Sequence, residues 1–243
     1  MPHAPAIALL TDFGTRDPYV ASMKGVIAGR TDAPVLDLTH EIAPHDVFEA
    51  AWFLRMVEKW WPAGTIFVAV VDPGVGTARR IVAASRDQKI FLAPDNGLLT
   101  FVADGARIRS VEEASLFLPN GSDTFHGRDR FAPVAAALAN GLAIDKLGPE
   151  LREIVRLDYQ PGTIVAIDRF GNAITDLVPP SARFALKTGA VAIDRVVRTY
   201  EEGGEEPFLI IGSTGCIEIS IRNGSAADVL HLRRGDRVEI LEL

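Results

Sequence analysis

The first part of the chain alternates between apolar runs and stretches with helical spacing. Ala6–Asp12 and Thr65–Asp72 are short apolar runs, the second rich in β-branched residues, and each ends in an aspartate. Pro34–Thr39 also has strand-like character. Runs that stay apolar at successive positions are typical of strands buried on both faces of a parallel sheet. The segments Tyr19–Gly29 and Asp46–Trp61 carry helical spacing, so the order predicts right-handed βαβ units in an α/β layer.

Local end signals support the second predicted helix. Asp46 is suited to the N-cap, Glu49 follows three residues later in a capping-box pattern, and Pro62 follows the helix. Residues 80–99 have the pattern of two strands around a polar turn, which predicts an antiparallel excursion of the sheet. A further helix is predicted over Arg130–Gly141, where the apolar residues again have helical spacing.

The pattern changes after Leu157. From there onward, short runs with a period of two alternate with turn residues, and helical spacing is almost absent. Frequent short strands of this kind predict a small antiparallel barrel or sandwich. We therefore predict an α/β protein with two domains. Residues 1–158 form an N-terminal α/β domain with a mainly parallel sheet, and residues 159–243 form a C-terminal antiparallel β-barrel domain.

Composition and charge narrow the function classes. The chain has 243 residues, 48% of them hydrophobic and 23% charged, with a formal net charge of −7. Because no basic run offsets that charge, neither nucleic acid nor an anionic membrane is expected as a partner. The first residues lack the basic region and apolar length of a signal peptide, and no run approaches the roughly 20 apolar residues that span a bilayer. The one cysteine, Cys216, excludes an intramolecular disulfide, so we expect a soluble cytoplasmic protein.

Residues able to do chemistry collect at the predicted strand ends. In an open parallel sheet, the loops that leave the carboxyl ends of the strands form the ligand crevice. Asp12 and Asp72 stand at two such ends, and His126 lies just before a predicted helix. Gly74 and Gly76 follow Asp72 and allow the backbone to turn close to a ligand. These positions predict a polar site at this edge of the sheet.

Each of these residues also has a purely structural interpretation. Asp72 precedes Pro-Gly and suits a turn, Asp12 suits the cap of the following turn, and His126 suits a hydrogen-bonded structural histidine. His40 and His45 are five residues apart, a spacing that matches no familiar metal site. On the individual motifs alone, the structural and functional interpretations both stay open.

Five motifs in order give the chain a family resemblance. They are LLTDFGTRDPYVASMKGVI, VVDPGVGTARR, APDNGLL, FHGRDRFAPVAA and IDRFGNAITD. Together they resemble the S-adenosyl-L-methionine (SAM) hydroxide adenosyltransferases, which are adenosine-forming SAM hydrolases related to the bacterial fluorinase and chlorinase. The resemblance runs from near Ile7 to the C-terminus. Five motifs at compatible spacings are far more specific than any one of them.

The resemblance implies an activity and an assembly. The activity is hydrolysis of SAM to adenosine and L-methionine, by in-line attack of water or hydroxide at C5′. The assembly is a homotrimer in which SAM lies between the N-terminal domain of one subunit and the C-terminal domain of its neighbour. The resemblance implies no cofactor and no metal.

The resemblance also implies roles for particular residues. Matched motif by motif, the catalytic set around a water falls on Asp72, Arg79 and His126, with the adjacent Arg80 as a competitor for Arg79. The residues assigned to the substrate are Asp12 for the ribose hydroxyls, Asp17 and Tyr19 along the ribose and methionine, Phe170 and Asn172 at the adenine, Asp168 at the methionine amino group, and Ser213 and Thr214 at the methionine carboxylate and adenine edge.

Four positions depart from the halogenating relatives. Asp72 stands where the fluorinase has a tyrosine, His45 and Ile174 each replace a tryptophan, and Thr214 replaces an arginine. The first difference bears on the reaction, because an anionic side chain repels a halide but orients and polarises a water. The Asp72 departure therefore favours hydrolysis over halogenation, while the other three bear on the contacts with adenine and methionine.

These residue types suit that chemistry. SAM is a sulfonium, so methionine leaves as a neutral thioether and needs no acid or metal at sulfur. A carboxylate can accept a hydrogen bond from the attacking water, and a nearby arginine favours the ionised carboxylate. His126, with a reference pKa of about 6.5, suits either completion of the water's hydrogen bonds or receipt of its proton. Neither a Walker A sequence nor a GxGxxG fingerprint occurs, which fits a nucleoside derivative without phosphates.

Three rival functions stay open on the sequence. A SAM-dependent halogenase would keep the fold and change the nucleophile. A trimeric adenosine- or SAM-binding protein with little catalysis would keep only the binding residues. A metal-dependent phosphohydrolase built on Asp12 and Asp72 is the weakest rival, because the chain lacks the histidine and carboxylate spacing of such sites.

Overall fold

The computed structural model describes residues 5–243. The expectation that the first residues do not form a signal peptide therefore lies partly outside the described residues. The contacts divide the chain into two compact units, the first ending at Leu157 and the second running over Asp158–Leu243. Among the described residues, no helix is long and apolar enough to cross a membrane.

The first unit is built on one seven-stranded sheet. Its strands are β1 (Ile7–Thr11), β2 (Val35–Thr39), β3 (Ile66–Val70), β4 (Ile81–Arg86), β5 (Lys89–Pro94), β6 (Arg107–Ser110) and β7 (Glu150–Leu151). They lie in the order β2-β1-β3-β5-β4-β6-β7. The first four strands of this order pair in parallel, and the remaining pairings are antiparallel. The predicted antiparallel excursion is the β4–β5 pair, in which Ile81 lies opposite Pro94.

Helices cover both faces of this sheet, which explains the continuously apolar strands. The helices are α1 (Tyr19–Ala28), α2 (Val47–Val57) and α3 (Ala132–Ala139), with short 3₁₀ turns at Glu58–Trp60, Ala114–Leu116 and Ile144–Lys146. Val68 of β3 packs in one apolar cluster with residues of α1 and α3, while its neighbours Phe67 and Ala69 pack in a second cluster with residues of α2. Successive strand side chains point to opposite faces, so both must be apolar.

The start of α2 follows its sequence signals. The Asp46 carboxylate accepts a hydrogen bond from the Glu49 backbone N–H at 2.9 Å, as an N-cap does. The Glu49 side chain accepts from the backbone N–H of Ala43 at 3.3 Å, and the Asp46 backbone N–H, the donor in the second half of a capping box, bonds the Ala43 carbonyl at 3.0 Å. The regular helix ends at Val57, earlier than predicted, because the chain tightens into a 3₁₀ turn before Pro62.

A π-helical turn precedes α3 and carries the segment around His126. The turn spans Gly127–Phe131 and runs directly into the α-helix. Pro133 has no N–H to donate back along the helix, and the Asp129 carbonyl instead accepts from the Leu118 backbone N–H at 2.9 Å. The helical segment therefore begins three residues earlier than Arg130, the predicted start. Such turns are frequent at functional sites.

The second unit is formed mainly of antiparallel strands. They are β8 (Ile164–Ile167), β9 (Ala173–Thr175), β10 (Phe184–Thr188), β11 (Val191–Ile193), β12 (Val196–Val197), β13 (Phe208–Ile211), β14 (Ile217–Ser220) and β15 (Glu239–Glu242), with short helices α4 (Tyr200–Gly203) and α5 (Ala226–Leu230). A five-stranded sheet has the order β12-β13-β14-β9-β8, and a three-stranded sheet has the order β11-β10-β15. All pairs except β12–β13 are antiparallel. A bridge between Thr163 and Arg237 connects the two sheets around one apolar core.

Candidate active site

Asp72 reaches the site because a buried strand ends in a tight glycine turn. It follows β3, and its side chain is 5% exposed. The turn closes through bonds from the Val75 N–H to the Asp72 carbonyl and from the Thr77 N–H to the Gly74 carbonyl, both 3.2 Å. Gly76 has φ +78°, and a Cβ there would lie 2.6 Å from the Asp123 carbonyl oxygen. This turn therefore needs glycine at position 76 and returns the chain toward Asp72.

Arg79 binds the Asp72 carboxylate through several hydrogen bonds. Its Nε lies 2.8 Å from Oδ1 and 2.9 Å from Oδ2, and its Nη2 also donates to Oδ2. The Arg79 side chain is 9% exposed, so the pair is largely shielded from water. A planar guanidinium that makes several bonds to one carboxylate fixes its orientation as well as its charge.

His126 completes a continuous polar chain with this pair. Arg79 Nη2 lies 2.8 Å from His126 Nδ1. Because a guanidinium only donates, Nδ1 must accept, and the neutral imidazole then carries its proton on Nε2. Burial, followed by the charges of Arg130 and Arg79, lowers the pKa of His126 below 6.5 despite the opposing effects of Asp72 and Asp123. His126 is therefore a neutral imidazole near pH 7.

Within the Asp72–Arg79–His126 set, two buried N–H groups have no hydrogen-bond partner among the described residues. They are Arg79 Nη1 and His126 Nε2. A buried donor without a partner costs free energy, and such exceptions are expected where a ligand or ordered water belongs. Both groups are donors, so the oxygen of a water or hydroxide suits them. The Asp72 carboxylate beside them supplies the complementary acceptor.

Arg80 has a different partner. Its Nε lies 2.8 Å and its Nη2 2.5 Å from Asp95 Oδ2, and its side chain is half-exposed. Asp95 Oδ1 in turn accepts from the Val155 backbone N–H at 2.8 Å. Of the two adjacent arginines, Arg79 alone contacts Asp72 and His126, while Arg80 fastens the last segment of the first unit to the sheet.

Asp12 lies at the end of β1, held by a neighbouring loop. Its side chain is 8% exposed and its Oδ2 accepts from the His45 backbone N–H at 2.9 Å. His45 reaches this position in the left-handed region, with φ 67°, and its own side chain is exposed. The loop that carries His45 therefore orients the Asp12 carboxylate.

Thr11, the residue before Asp12, begins a polar relay that runs from buried His40 to half-exposed Asp37 and Lys24. Thr11 Oγ1 lies 2.9 Å from His40 Nδ1, and His40 Nε2 lies 3.0 Å from Asp37 Oδ1. Lys24 pairs with the other Asp37 oxygen at 2.7 Å. Burial raises the pKa of Asp37, but hydrogen bonds from Lys24 and His40 outweigh it and the net pKa is lowered. His40 therefore has a structural role that anchors the end of β1.

Tyr19 lies in an aromatic cleft of the first unit. Its ring centroid lies 5.6 Å from that of Phe13 and 5.3 Å from that of Phe125. The cleft has a volume of about 370 Å³ and is lined by Phe13, Tyr19, Ser122, Thr124, Phe125 and Arg128. Asp17 is exposed and does not line it. The structure brings Tyr19 beside the residue that precedes His126, while Asp17 stays outside the cleft.

The second unit contains a larger cleft that collects three of the predicted residues. Its volume is about 850 Å³, and it is lined by Asp168, Phe170, Asn172, Tyr200, Glu201, Ile221, Arg222, Asn223, Gly224 and Ser225. Among these, Tyr200 and the 221–225 segment were missed from the sequence. Both lie in the part of the chain whose pattern predicts short alternating strands, where an exposed polar or aromatic residue carries no distinguishing signal.

The loop 168–172 has a shape that explains its sequence. Asp168 Oδ1 accepts from the backbone N–H groups of Phe170 and Asn172, both at 2.9 Å, and Oδ2 accepts from Asn172 Nδ2 at 2.8 Å. Gly171 has φ +83°, and a Cβ there would lie 2.2 Å from Ser225 Oγ. Phe170 is left 78% exposed. Asp168 therefore holds the loop that presents the Phe170 ring.

Ser213 and Thr214 lie apart from this cleft lining. They occupy the tight turn between β13 and β14, where the Gly215 N–H bonds the Gly212 carbonyl at 2.9 Å. Thr214 Oγ1 accepts from the Cys216 backbone N–H at 3.3 Å. The hydroxyl of Thr214 thus already serves the turn.

No cluster of three or more histidine, cysteine, aspartate or glutamate side chains within residues 5–243 is arranged to hold a metal ion. The polar chain of the first unit contains one carboxylate, one guanidinium and one imidazole. Its chemistry is that of hydrogen bonding to a small polar group.

Family models match nearly the whole chain. The model described as the SAM hydroxide adenosyltransferase N-terminal domain matches residues 7–148, and the model described as the corresponding C-terminal domain matches residues 162–239.

Named relatives match along the same length. An (R)-S-adenosyl-L-methionine hydrolase from Thermus thermophilus is 40% identical, with 97% of this chain and 99% of the relative covered. A protein of the same name from Methanocaldococcus jannaschii is 34% identical, with 97% and 95% covered. A fluorinase from Actinopolyspora mzabensis is 27% identical, with 97% of each chain covered.

Solved structures share the fold. A Thermotoga maritima protein has a TM-score of 0.90 at 34% identity, over 97% of this chain and all of its own. A Thermus thermophilus protein has a TM-score of 0.83 at 38% identity, over 98% of this chain and all of its own. The predicted α/β class, with a second antiparallel part, is confirmed. The chain belongs to the SAM hydroxide adenosyltransferase family.

Proposed function

We propose that this protein hydrolyses SAM to adenosine and L-methionine, by attack of water or hydroxide at C5′ in line with the C5′–S bond. Four full-length relatives, 34–40% identical, are named (R)-S-adenosyl-L-methionine hydrolases. The observation that carries the mechanism is the buried Asp72–Arg79–His126 chain with two unpartnered N–H donors.

The leaving group sets what the enzyme has to supply. The sulfonium departs as the neutral thioether of methionine, so neither protonation nor a Lewis acid is needed at sulfur, and we propose a metal-independent reaction. What remains is to hold an oxygen nucleophile at roughly 3–3.5 Å from C5′ in a near-attack geometry. The first-unit residues Asp72, Arg79 and His126 are our candidates for that task.

Each member of the chain has a distinct part in the proposed step. Asp72 accepts a hydrogen bond from the water and receives or relays its proton as the C5′–O bond forms and the C5′–S bond breaks. Arg79 holds that carboxylate in one orientation. His126 donates from Nε2 to the water oxygen, because its Nδ1 is occupied by Arg79. Receipt of the proton by His126, the other option open from the sequence, is therefore not part of this mechanism.

The remaining predicted residues are proposed to bind the nucleoside and the methionine. Phe170 offers an exposed aromatic face and Asn172 an amide to the adenine. Asp12, oriented by the loop that carries His45, suits the two ribose hydroxyls. Tyr19 and Asp17 are our candidates for contacts along the ribose and methionine. Asp168 holds its own loop and is our candidate for the methionine amino group, while Ser213 and Thr214 are our candidates for the methionine carboxylate and the adenine edge.

We further propose a cytoplasmic homotrimer whose active sites combine the first unit of one subunit with the second unit of its neighbour. The need for both sets of residues around one SAM supports this arrangement. The single cysteine, Cys216, is buried and unpaired, which fits a reducing compartment. Neither nucleic acid nor a membrane is part of the proposed function.

Halogenation is the second candidate, favoured by the fluorinase relatives at 27% identity. Two unpartnered N–H donors suit a halide as well as a water oxygen. The adjacent Asp72 carboxylate opposes an anion, however, and Arg79 neutralises it only in part.

One experiment separates these functions. Pure protein is incubated with SAM in oxygen-18 water, with and without chloride, and the nucleoside product is weighed by mass spectrometry. We expect adenosine carrying one heavy oxygen, unchanged by chloride or by a metal chelator. Appearance of 5′-chloro-5′-deoxyadenosine would support halogenation. Tight SAM binding without any product would support a binding protein, and loss of activity with the chelator would refute metal independence.

A further inference from the structure

Glu218 is a buried acid that the proposed mechanism does not use. It lies on β14, opposite Ile210 of β13 and Ile174 of β9, and is 6% exposed. The flanking residues Ile217 and Ile219 point into the apolar core of the second unit. Glu218 therefore occupies the other face of the sheet, between two isoleucines.

The surroundings of the Glu218 carboxyl form a defined site. The Tyr200 hydroxyl donates to Glu218 Oε2 at 3.1 Å. On the other side, a Cβ at position 212 would lie 1.7 Å from Oε1, so Gly212 leaves the room that this carboxyl fills. Burial first, and then the charge of Asp168, raises the pKa of Glu218, although the bond from Tyr200 opposes that rise. Burial and Glu218 likewise raise the pKa of Tyr200 to about 12.

A carboxyl in this position is costly for the fold. Removing an ionisable group from water disfavours the folded state unless its partners compensate, and the groups facing this one are a tyrosine hydroxyl and a second acid. An apolar residue would suit a strand position between two isoleucines better. Departures from such local rules concentrate at functional sites.

We infer that Glu218 is a positioning residue for nucleoside binding: its carboxyl holds the Tyr200 hydroxyl and so fixes the Tyr200 ring in the wall of the 850 Å³ cleft. Tyr200 begins a helix of only four residues, which has little stability of its own. Its ring otherwise contacts Phe208, at 6.4 Å between centroids. The arrangement parallels Asp168, which holds the loop of Phe170. The nature of the ligand rests on the proposed function.

The test measures binding and turnover separately. Glu218→Ala removes the acceptor, Glu218→Gln keeps one, and Tyr200→Phe removes the donor. We expect KM for SAM to rise about tenfold in Glu218→Ala and in Tyr200→Phe, and no more than about threefold in Glu218→Gln, with kcat within about twofold throughout. Thermal unfolding of Glu218→Gln should be no earlier than that of the native chain. Glu239→Gln, an exposed acid on β15 of the same unit, is the matched control.

A double mutant decides whether Glu218 acts through Tyr200. In the Tyr200→Phe background, Glu218→Ala should add less than about twofold, because the shared contact is already lost. Multiplying effects, or an unchanged KM in Glu218→Ala, would overturn the inference. Adenosine is also titrated directly by calorimetry, where its Kd should follow the same pattern. If the protein binds adenosine but leaves SAM intact, the proposed function fails while this titration still tests Glu218.

Discussion

Adjacent side chains take separate tasks at the residue scale. Arg79 and Arg80 lie just before β4, and the side chains of neighbouring extended residues point to opposite sides. One meets Asp72 and His126, and the other meets Asp95. The two arginines therefore form a matched pair in which the same change should have unequal effects.

Lysine substitutions test that difference. A lysine keeps the charge but cannot make the forked contact, so Arg79→Lys should lower kcat about 100-fold. Arg80→Lys, which alters a half-exposed pair, should keep kcat within about twofold. Adenosine release is followed by chromatography. Equal losses in both variants would remove the basis for choosing Arg79.

Asp72 should matter for the chemical step and hardly for binding. Asp72→Ala removes the group proposed to orient the water, and we expect adenosine release to fall about 1000-fold or more. The Kd for SAM, measured by calorimetry, should change less than about threefold. A variant that retains full turnover would refute the assigned role.

The lowered pKa of His126 predicts how kcat depends on pH. Its folded-state pKa is lowered, so the neutral form, whose Nδ1 accepts from Arg79, is the one that the folded protein favours. Protonation would place two donors face to face. We expect kcat to be level above pH 6.5 and to fall on the acid side.

The lowered pKa of His126 also makes the stability of the folded protein depend on pH. Since the folded state binds this proton less readily than the unfolded state, the His126 contribution to stability is present above pH 6.5 and is lost as the pH falls through the lowered pKa. Thermal unfolding should therefore shift downward in this acid window. His126→Asn should weaken both dependences, and an unchanged acid limb of kcat in that variant would assign the titration elsewhere.

At the scale of elements, the site depends on how turns follow strands. The strand β3 delivers Asp72, and the glycine turn returns the chain so that Arg79 can reach it. In the second unit, the Asp168 loop and the one-turn helix at Tyr200 present aromatic side chains at a cleft. In both units the apolar strands supply rigidity, and short irregular segments carry the candidate functional groups.

Two glycines of the same turn provide an element-scale test. Gly76→Ala combines φ +78° with a close approach to the Asp123 carbonyl, so we expect a loss of about 2 kcal/mol in the free energy of unfolding and a clear loss of activity. At Gly74 the nearest atoms to an added Cβ lie at 3.5 Å, and Gly74→Ala should change stability by less than about 1 kcal/mol. Urea unfolding measures both. Equal effects would show that the turn is less restrictive than its geometry indicates.

At the scale of the whole molecule, the proposed function requires residues of both units around one SAM molecule. The polar chain lies in the first unit and the Phe170 cleft in the second. In the proposed trimer, these halves come from different subunits, so every site needs two chains. That arrangement makes a prediction that no single-chain site shares.

Mixing two inactive variants tests it. Asp72→Ala spoils the first unit, and Asn172→Ala spoils the second. The two variants are co-expressed with different tags and co-purified. In random trimers, about one quarter of the shared sites combine an intact first unit with an intact second unit, so up to about one quarter of native activity should return. No recovery from mixed trimers would contradict shared sites. Light scattering establishes the number of subunits independently.

Much of the element pattern was readable from local sequence. Strands buried on both faces must be apolar at every position, so β1 and β3 were recognisable, as was the Asp46 cap of α2. The exact bounds were less accessible. At the π-helical turn before α3, Pro133 has no N–H to offer the Asp129 carbonyl. The Leu118 backbone N–H, from an earlier part of the chain, bonds that carbonyl instead.

The sequence by itself determined the fold class, the family motifs and the candidates Asp72 and His126, because periodicity and motif spacing are local properties of the chain. Only the tertiary structure showed that Arg79 contacts Asp72 and His126 while Arg80 contacts Asp95, set the His126 tautomer, and engaged Asp168 with its own loop. It alone placed Glu218 beneath Tyr200. Those outcomes depend on hydrogen bonds between residues distant in sequence, and local pattern does not encode which donor reaches which acceptor once the chain has folded.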